Sequence, residues 1–114
     1  METIIESPHF TVNDLLKEYI LKKTKKLTKL DERLIKCHVL LKLDRSSTEE
    51  NKICEIKADG PLKKLFASCQ GLTFEDTITQ TIHAIEKQLR AKKAKPRRDG
   101  KKLEIENESE EEAL

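Results

Sequence analysis

The chain has 114 residues, of which 36% are hydrophobic and 39% are charged, which is enough for one modest core but not for two. Residues 103–114 hold six Glu and no Lys or Arg, so residues 1–102 carry 23 basic against 15 acidic side chains and favour a polyanionic partner. No basic and apolar leader opens the chain and no apolar run reaches the roughly 20 residues of a membrane helix, so we expect a cytoplasmic protein.

The first part of the chain predicts a strand, a helix and a second strand. Residues 2–6 are rich in β-branched side chains, which is typical of a short strand. A helix is predicted over 14–29, with Thr11 or Asn13 as its N-cap. The apolar residues that recur at helical spacing there are Val12, Leu16, Tyr19, Ile20, Leu27 and Leu30. Strict alternation of apolar and polar residues predicts a strand over 35–45.

The remaining periodic segments predict two more strands and a long helix. Alternation over 52–59 and 63–70 completes a three-stranded antiparallel meander. Thr73 is a candidate N-cap for a helix that continues to about residue 95, where Pro96 opposes further helix. The apolar ridge of this helix is Phe74, Ile78, Ile82, Ile85 and Leu89.

The inward face of the predicted strands includes all three cysteines. Cys37, Cys54 and Cys69 are odd in number and too far apart for C-x-x-C pairs, and Ile35 shares the inward face with them. We therefore expect reduced thiols in the core, with a metal site as the weaker alternative.

Together these elements predict an α+β fold of order β-α-β-β-β-α. Two helices, each apolar on one side, must cover one face of a four-stranded sheet and form a two-layer sandwich. We expect residues 1–95 to form this single domain and residues 96–114 to be a disordered tail that is first basic and then acidic.

Lysines cluster on the first predicted helix. Lys22, Lys25, Lys26 and Lys29 follow the spacing that stacks side chains on one helical face, although like charges at that spacing repel by a few tenths of a kcal/mol per pair. Lys23 falls near the middle of the apolar stripe, so its side chain must extend over the core edge or into a groove.

A second basic cluster occupies the end of the last helix and the residues after it. Its members are Lys87, Arg90, Lys92, Lys93, Lys95, Arg97 and Arg98. The simplest interpretation of both clusters is two solvated helix faces. Two helices on one side of a sheet would, however, bring the clusters together into a positive surface that suits a phosphate backbone.

No catalytic, metal or cofactor site is predicted. His9, His38 and His83 are isolated from one another and from any C-x-x-C or glycine-rich loop, and we expect ordinary surface or edge residues. Aromatic residues that could stack on unpaired bases are few, which favours recognition of RNA shape and phosphate over stacking.

The order of elements and the segment ASCQGLTFEDTITQTIHAIEKQLRAKKAK resemble the family of ribosome hibernation-promoting factors and ribosome-associated inhibitors. The resemblance covers roughly residues 2–95, and the segment ENESEEEAL looks like the acidic tail of a short member. Ala84 and residues 75–77 depart from the family pattern.

The resemblance implies a fold similar to a double-stranded-RNA-binding domain and a binding site in the decoding channel of the small ribosomal subunit. It implies a monomer off the ribosome that blocks mRNA and tRNA in stationary phase or stress, without a small-molecule substrate, a membrane or a reaction. The expected contacts with ribosomal RNA are made by Lys22, Lys23, Lys26, Lys29, Lys87, Arg90, Lys92, Lys93 and Lys95.

Two questions stay open at this point, namely the function of the domain and the role of the acidic tail. The chain could instead be a general double-stranded-RNA-binding module that acts in RNA processing or ribosome assembly. The acidic tail could be a solubilising end, a shield that mimics RNA on the basic clusters, or a device that excludes a rival factor.

Overall fold

The computed structural model describes residues 1–46, 49–61 and 63–94, with the side chains of 92–94 outside that description. The predicted order of elements is confirmed, since the chain forms four strands and two helices in the sequence β-α-β-β-β-α. Their bounds are β1 Glu2–Glu6, α1 Asp14–Leu30, β2 Lys36–Leu43, β3 Lys52–Gly60, β4 Lys63–Gly71 and α2 Phe74–Ala94. The predicted tail, residues 96–114, lies outside the described residues.

The four strands form one mixed sheet in the order β1-β2-β3-β4. β1 pairs with β2 in parallel, and β2, β3 and β4 pair in antiparallel fashion as the predicted meander. α2 packs on β3 and β4, and α1 packs beside α2. Both helices therefore cover the same face of the sheet and form the predicted second layer.

The two helices run parallel to each other. β1 and β4 point in the same direction, and each is followed by a helix that returns across the sheet. The rings of Phe10 and Phe74, which lie at the N-terminal ends of the helices, stack with centroids 4.9 Å apart. The hydroxyl oxygens of Tyr19 and Thr79 lie 2.7 Å apart near the same end. The C-terminal halves of both helices consequently lie at the opposite end of the layer.

The core lies between the sheet and the helix pair. The predicted ridge of α2 is buried at Ile78, Ile82, Ile85 and Leu89, and its first member Phe74 is half-buried. Other buried apolar residues are Val12, Ile20, Leu27, Leu34, Cys37, Val39, Leu41, Cys54, Ile56, Ala58, Leu65 and Ala67. Burial of this set is the main favourable contribution to folding, at about 25 cal/mol for each Å² of apolar surface removed from water.

Small side chains let α2 approach the sheet closely. Thr77 and Thr81 of α2 are fully buried, and the Thr81 hydroxyl donates to the Thr77 carbonyl at 2.7 Å, so burial leaves it satisfied. A Cβ atom at Gly71 would lie 2.9 Å from the Thr77 hydroxyl oxygen, closer than carbon and oxygen tolerate. The absence of a side chain at Gly71 therefore lets Thr77 of α2 lie close to the end of β4.

The cysteines occupy the inward face, as predicted, but to different depths. Cys37 and Cys54 are buried, and burial raises the pKa of each thiol to about 12. Both thiols are therefore protonated and unreactive near neutral pH. Cys69, which lies opposite Cys54 in the register of β3 and β4, is only half-buried. All three are free thiols.

Side-chain caps begin both helices. Of the two candidates for α1, Asn13 is the N-cap, and its side-chain oxygen accepts from the backbone N–H of Leu16 at 2.8 Å. At α2 the hydroxyl of Thr73 accepts from the backbone N–H of Asp76 at 3.1 Å, as predicted. Each cap satisfies a backbone donor that the helix itself leaves free.

The predicted bounds and inward face of β2 were wrong at its ends. Ile35 is 60% exposed, whereas Leu34 is only 3% exposed and takes the expected core position. The tight turn after Asp31, in which the Leu34 N–H donates to the Asp31 carbonyl at 3.4 Å, shifts the alternation before the strand begins. At the other end the Asp44 carboxylate accepts from the Ser46 N–H at 3.0 Å and turns the chain.

A buried ion pair anchors the end of α1 to the β3–β4 hairpin. The Lys63 ammonium lies 2.5 Å from one carboxylate oxygen of Asp31, and the Arg33 side chain lies 3.3 Å from the other. The Lys63 hydrogen bond, followed by the backbone N–H of Arg33, holds the pKa of the Asp31 carboxyl well below its usual range. The two chain segments at this end of the sheet are therefore held together by charge.

Candidate nucleic-acid interface

The C-terminal halves of α1 and α2 carry most of the predicted site. We call the set Lys22, Lys23, Lys26, Lys29, Lys87 and Arg90 the basic helix surface. All of its members are exposed except Lys23, which is half-buried. Because the helices are parallel, the members on α1 and those on α2 lie at the same end of the helix layer.

On α1 the contact with α2 identifies the side that faces the neighbouring helix. Tyr19 touches Thr79 of α2, and residues four and seven positions later lie on the same helical face. Lys23 and Lys26 therefore face α2, with Lys22 beside them. Lys25 lies away from this side, so the structure divides the predicted lysine cluster.

Lys23 extends over an aromatic ring at the edge of the core. Its ammonium lies 5.2 Å from the centroid of the Tyr19 ring, within the range of a cation–π contact. The sequence placed this lysine on the apolar stripe, and in the folded protein its ammonium meets an aromatic ring at the edge of the core. Lys23 thus sits at the α2 side of α1 in a defined position.

On α2 the contact between Tyr19 and Thr79 identifies the side that faces α1. His83, Glu86 and Arg90 lie four, seven and eleven positions after Thr79, which is the spacing of one helical ridge. Arg90 therefore lies on the side of α2 toward α1, level with the last turn of α1, and Lys87 lies beside it toward solvent. The structure brings these predicted residues to the side of α2 on which α1 packs.

Within the described part of the chain, the cations of the basic helix surface have no carboxylate at ion-pair distance. The ion pairs found there join Arg33 and Lys63 to Asp31, His38 to Glu6, and Lys42 to Glu55. The stretch of α1 from Lys22 to Leu30 contains five lysines and no acidic residue. Positive charge is therefore concentrated on this part of α1, and Glu86 on the facing side of α2 forms no ion pair with it.

Three predicted site residues lie beyond what the structure describes at the side-chain level. Lys92 and Lys93 belong to α2, but their side chains are outside the description, and Lys95 is outside the described residues altogether. Their predicted contribution stays a prediction.

Sequence reasoning missed three residues of this region. Tyr19 supports Lys23 and joins the two helices, whereas the sequence indicated only a core position. Exposed His83 and half-buried Glu86 share the α1-facing ridge of α2 with Arg90. Their spacing from Arg90 was visible in the sequence, but which ridge of α2 faces α1 was not, because that depends on how the helices pack.

The outer face of the sheet, opposite to α1 and α2, carries both positive and negative side chains. We call its charged side chains the outer sheet face; they are Lys36, Lys42, Lys57 and Lys64 with Glu2, Glu6, Glu55 and Asp59. The two signs are equal in number and interleaved. The ammonium of Lys42 lies 2.9 Å from the Glu55 carboxylate across β2 and β3.

The described residues offer little for other kinds of site. Among them, no three His, Cys, Asp or Glu side chains are grouped so that they could hold a metal ion. Within the same residues, no helix has the length and apolar character needed to cross a membrane.

Comparisons with known proteins give a family and a fold. A sequence model described as Sigma 54 modulation protein / S30EA ribosomal protein matches residues 3–97. A ribosomal subunit interface protein from Coxiella burnetii is similar in structure, with a TM-score of 0.75 and 19% identity over 83% of this chain and 100% of its own. The N-terminal domain of Protein Y from Thermus thermophilus gives a TM-score of 0.70 and 18% identity over 79% and 97%. A comparison with curated protein sequences found no match.

Proposed function

The chain belongs to the Sigma 54 modulation protein / S30EA ribosomal protein family, and on this premise we propose that it binds the ribosome and inhibits translation. Its site is the decoding channel of the small subunit, where it excludes mRNA and tRNA during stationary phase or stress. It acts as a cytoplasmic binding protein, is a monomer off the ribosome and catalyses no reaction.

The basic helix surface is the observation that carries this proposal. Lys23 and Lys26 of α1 and Arg90 of α2 lie on the adjoining sides of two parallel helices, with no described carboxylate paired to them. Such a surface matches the phosphate backbone of ribosomal RNA, because its cations attract phosphate and few acids nearby would repel it. The structural likeness to a ribosomal subunit interface protein agrees with that partner.

Ribosome pelleting at several salt concentrations tests the electrostatic part of the proposal. If about six phosphates are neutralised, affinity should fall on the order of a thousandfold between 50 and 200 mM salt, by analogy with duplex DNA. Binding that is indifferent to salt would contradict a phosphate-directed site.

Competition tests the location. A protein in the decoding channel should be displaced from ribosomes by mRNA together with initiator tRNA, and it should bind isolated RNA hairpins much more weakly. Equal binding to hairpins and ribosomes, with no displacement, would instead identify a general double-stranded-RNA-binding module.

A cell-free translation reaction tests the consequence. The double variant Lys87→Glu/Arg90→Glu should keep its fold, because both side chains are exposed, and should lose inhibition. Circular dichroism and thermal unfolding would verify that the variant is folded. Full inhibition by the folded variant would show that Lys87 and Arg90 of α2 are not needed to inhibit translation.

A further inference from the structure

The basic helix surface has one strongly complementary segment in its own chain. Residues 104–112 contain six Glu and no basic residue, and no other stretch of similar length in the sequence is as acidic. The surface itself has no described carboxylate at ion-pair distance, whereas acids elsewhere in the domain, such as Asp31 and Glu55, are paired. The lysines and the arginine of this surface are therefore available to an external or a tethered anion.

We propose that residues 104–112 dock on the basic helix surface and compete there with RNA. The occupant is this chain's own acidic segment, and the interaction is electrostatic contact between its glutamates and the lysines and arginine of α1 and α2. The competition with ribosomal RNA rests on the function proposed above, but the docking itself does not.

The geometry of the helix layer places the segment within reach. Nine residues, 95–103, join the end of α2 to the acidic segment, and in extended form they span at most about 30 Å. α1 has 17 residues and is about 26 Å long. Because α1 and α2 are parallel, the end of α2 lies beside the lysine-rich half of α1 and not beside its acidic start.

Tethering makes weak charge contacts sufficient. A segment joined by a short linker is present at an effective concentration in the millimolar range. Individual exposed ion pairs are weak, but a tethered segment with six carboxylates needs only submillimolar affinity to occupy the surface for most of the time. Ribosomal RNA displaces it, and docking lowers the apparent affinity for any polyanion by the fraction of molecules in which the surface is occupied.

Charge complementarity also predicts where the segment does not dock. The outer sheet face has as many acids as lysines, with Lys42 already paired to Glu55, and offers no net attraction. A docked segment should therefore affect the helix side of the domain alone.

Nuclear magnetic resonance tests docking without any ribosome. The comparison uses the full chain and a full-length variant in which Glu104, Glu106, Glu108, Glu110, Glu111 and Glu112 are all changed to Gln, which keeps length and removes charge. At 50 mM salt we expect backbone amide shifts to differ between the two at residues 22–29 and 87–91, and to be the same at Lys57 and Lys64. At 300 mM salt the differences should vanish. Spectra that coincide at 22–29 and 87–91 at low salt would overturn the proposal, as would differences confined to residues beyond 95.

Binding tests the competition. At 50 mM salt the Gln variant should bind heparin, as a generic polyanion, and purified small subunits about three- to tenfold more tightly than the unmodified chain, because the docked state no longer reduces the accessible fraction. The ratio of the affinities of the Gln variant and the unmodified chain should approach one at 300 mM salt. Equal affinity for heparin at low salt would refute docking.

The two proposals fail in different ways. If neither chain pellets with ribosomes while heparin binding and amide shifts differ as expected, the proposed function is wrong and docking stands. If both chains pellet equally and the spectra coincide, docking is wrong and ribosome binding stands. A synthetic peptide of residues 103–114, added to the Gln variant at millimolar concentration, should restore the shifts at 22–29.

Discussion

The basic helix surface and the outer sheet face carry charged residues on opposite sides of the same thin domain, but they use them differently. On the sheet, lysines and acids alternate and the ammonium of Lys42 pairs with Glu55 at 2.9 Å. On the helices, five lysines from Lys22 to Lys29 occur with no acid among them. The sheet arrangement favours stability, and the helix arrangement costs stability through like-charge repulsion. The proposed function gives this difference a reason, because a phosphate backbone bound to the helix side would neutralise its lysines.

The largest expected effect is a difference in ribosome affinity between a variant of the basic helix surface and a variant of the outer sheet face. The double variant Lys26→Glu/Arg90→Glu reverses one cation of the basic helix surface on each helix and should weaken ribosome binding on the order of a hundredfold near 100 mM salt. The matched control is Lys57→Glu/Lys64→Glu on the outer sheet face, which changes the net charge by the same amount. We expect the ribosome affinity of the control to fall less than about threefold, because only its net charge has changed. Equal losses in a pelleting assay would show that only total charge matters.

A second prediction contrasts a buried charge pair with the exposed lysines. Asp31→Asn removes the partner of Lys63, whose side chain is only 11% exposed, and should lower the free energy of unfolding by about 2–3 kcal/mol. Ribosome affinity of the folded fraction should not change, since neither residue belongs to the basic helix surface. Urea denaturation and pelleting measure the two quantities separately.

The pH dependence of that variant has a definite sign. Because the pKa of Asp31 is lowered in the folded protein, its contribution to stability is complete above the ordinary Asp value of about 4 and is lost as the pH falls below it. The stability difference between the unmodified chain and Asp31→Asn should therefore be constant near neutral pH and should shrink below about pH 4. A difference that grows on acidification would contradict the assigned ion pair.

The smallest effect has opposite signs on the two faces. Lys26→Gln relieves repulsion with Lys22 and Lys29 and should raise the free energy of unfolding by about 0.5 kcal/mol, while it weakens ribosome binding. Lys42→Gln breaks the pair with Glu55 and should lower the free energy of unfolding by about 0.5 kcal/mol without affecting binding. Chemical denaturation of both variants in low salt measures the difference. The same sign for both would show that the helix lysines do not repel one another in the folded protein.

The sequence predicted the elements because each has a clear period. Alternation located β3 and β4 to within one residue, and the apolar ridge from Ile78 to Leu89 located the buried side of α2. Side-chain caps were also recognisable, since Asn13 and Thr73 act through neighbours only three residues away. These features depend on local geometry, which a single segment specifies by itself.

The candidate site was only partly predictable. Its cations were visible as clusters, but the division that places Lys26 toward α2 and Lys25 away from it follows from the contact between Tyr19 and Thr79, which are 60 residues apart. The pairing of Asp31 with Lys63 and the burial of Leu34 in place of Ile35 likewise depend on segments that meet only in the folded chain.

The sequence by itself therefore determined which segments are strands and helices, and that positive charge gathers near two helix ends, because periodicity and charge are properties of short segments. The tertiary structure alone decided that β1 pairs in parallel with β2, that the helices run in the same direction, and that their basic halves lie at one end of one face. The physical reason is that direction and adjacency of elements are set by which apolar faces pack together, and that choice involves residues distant in the chain.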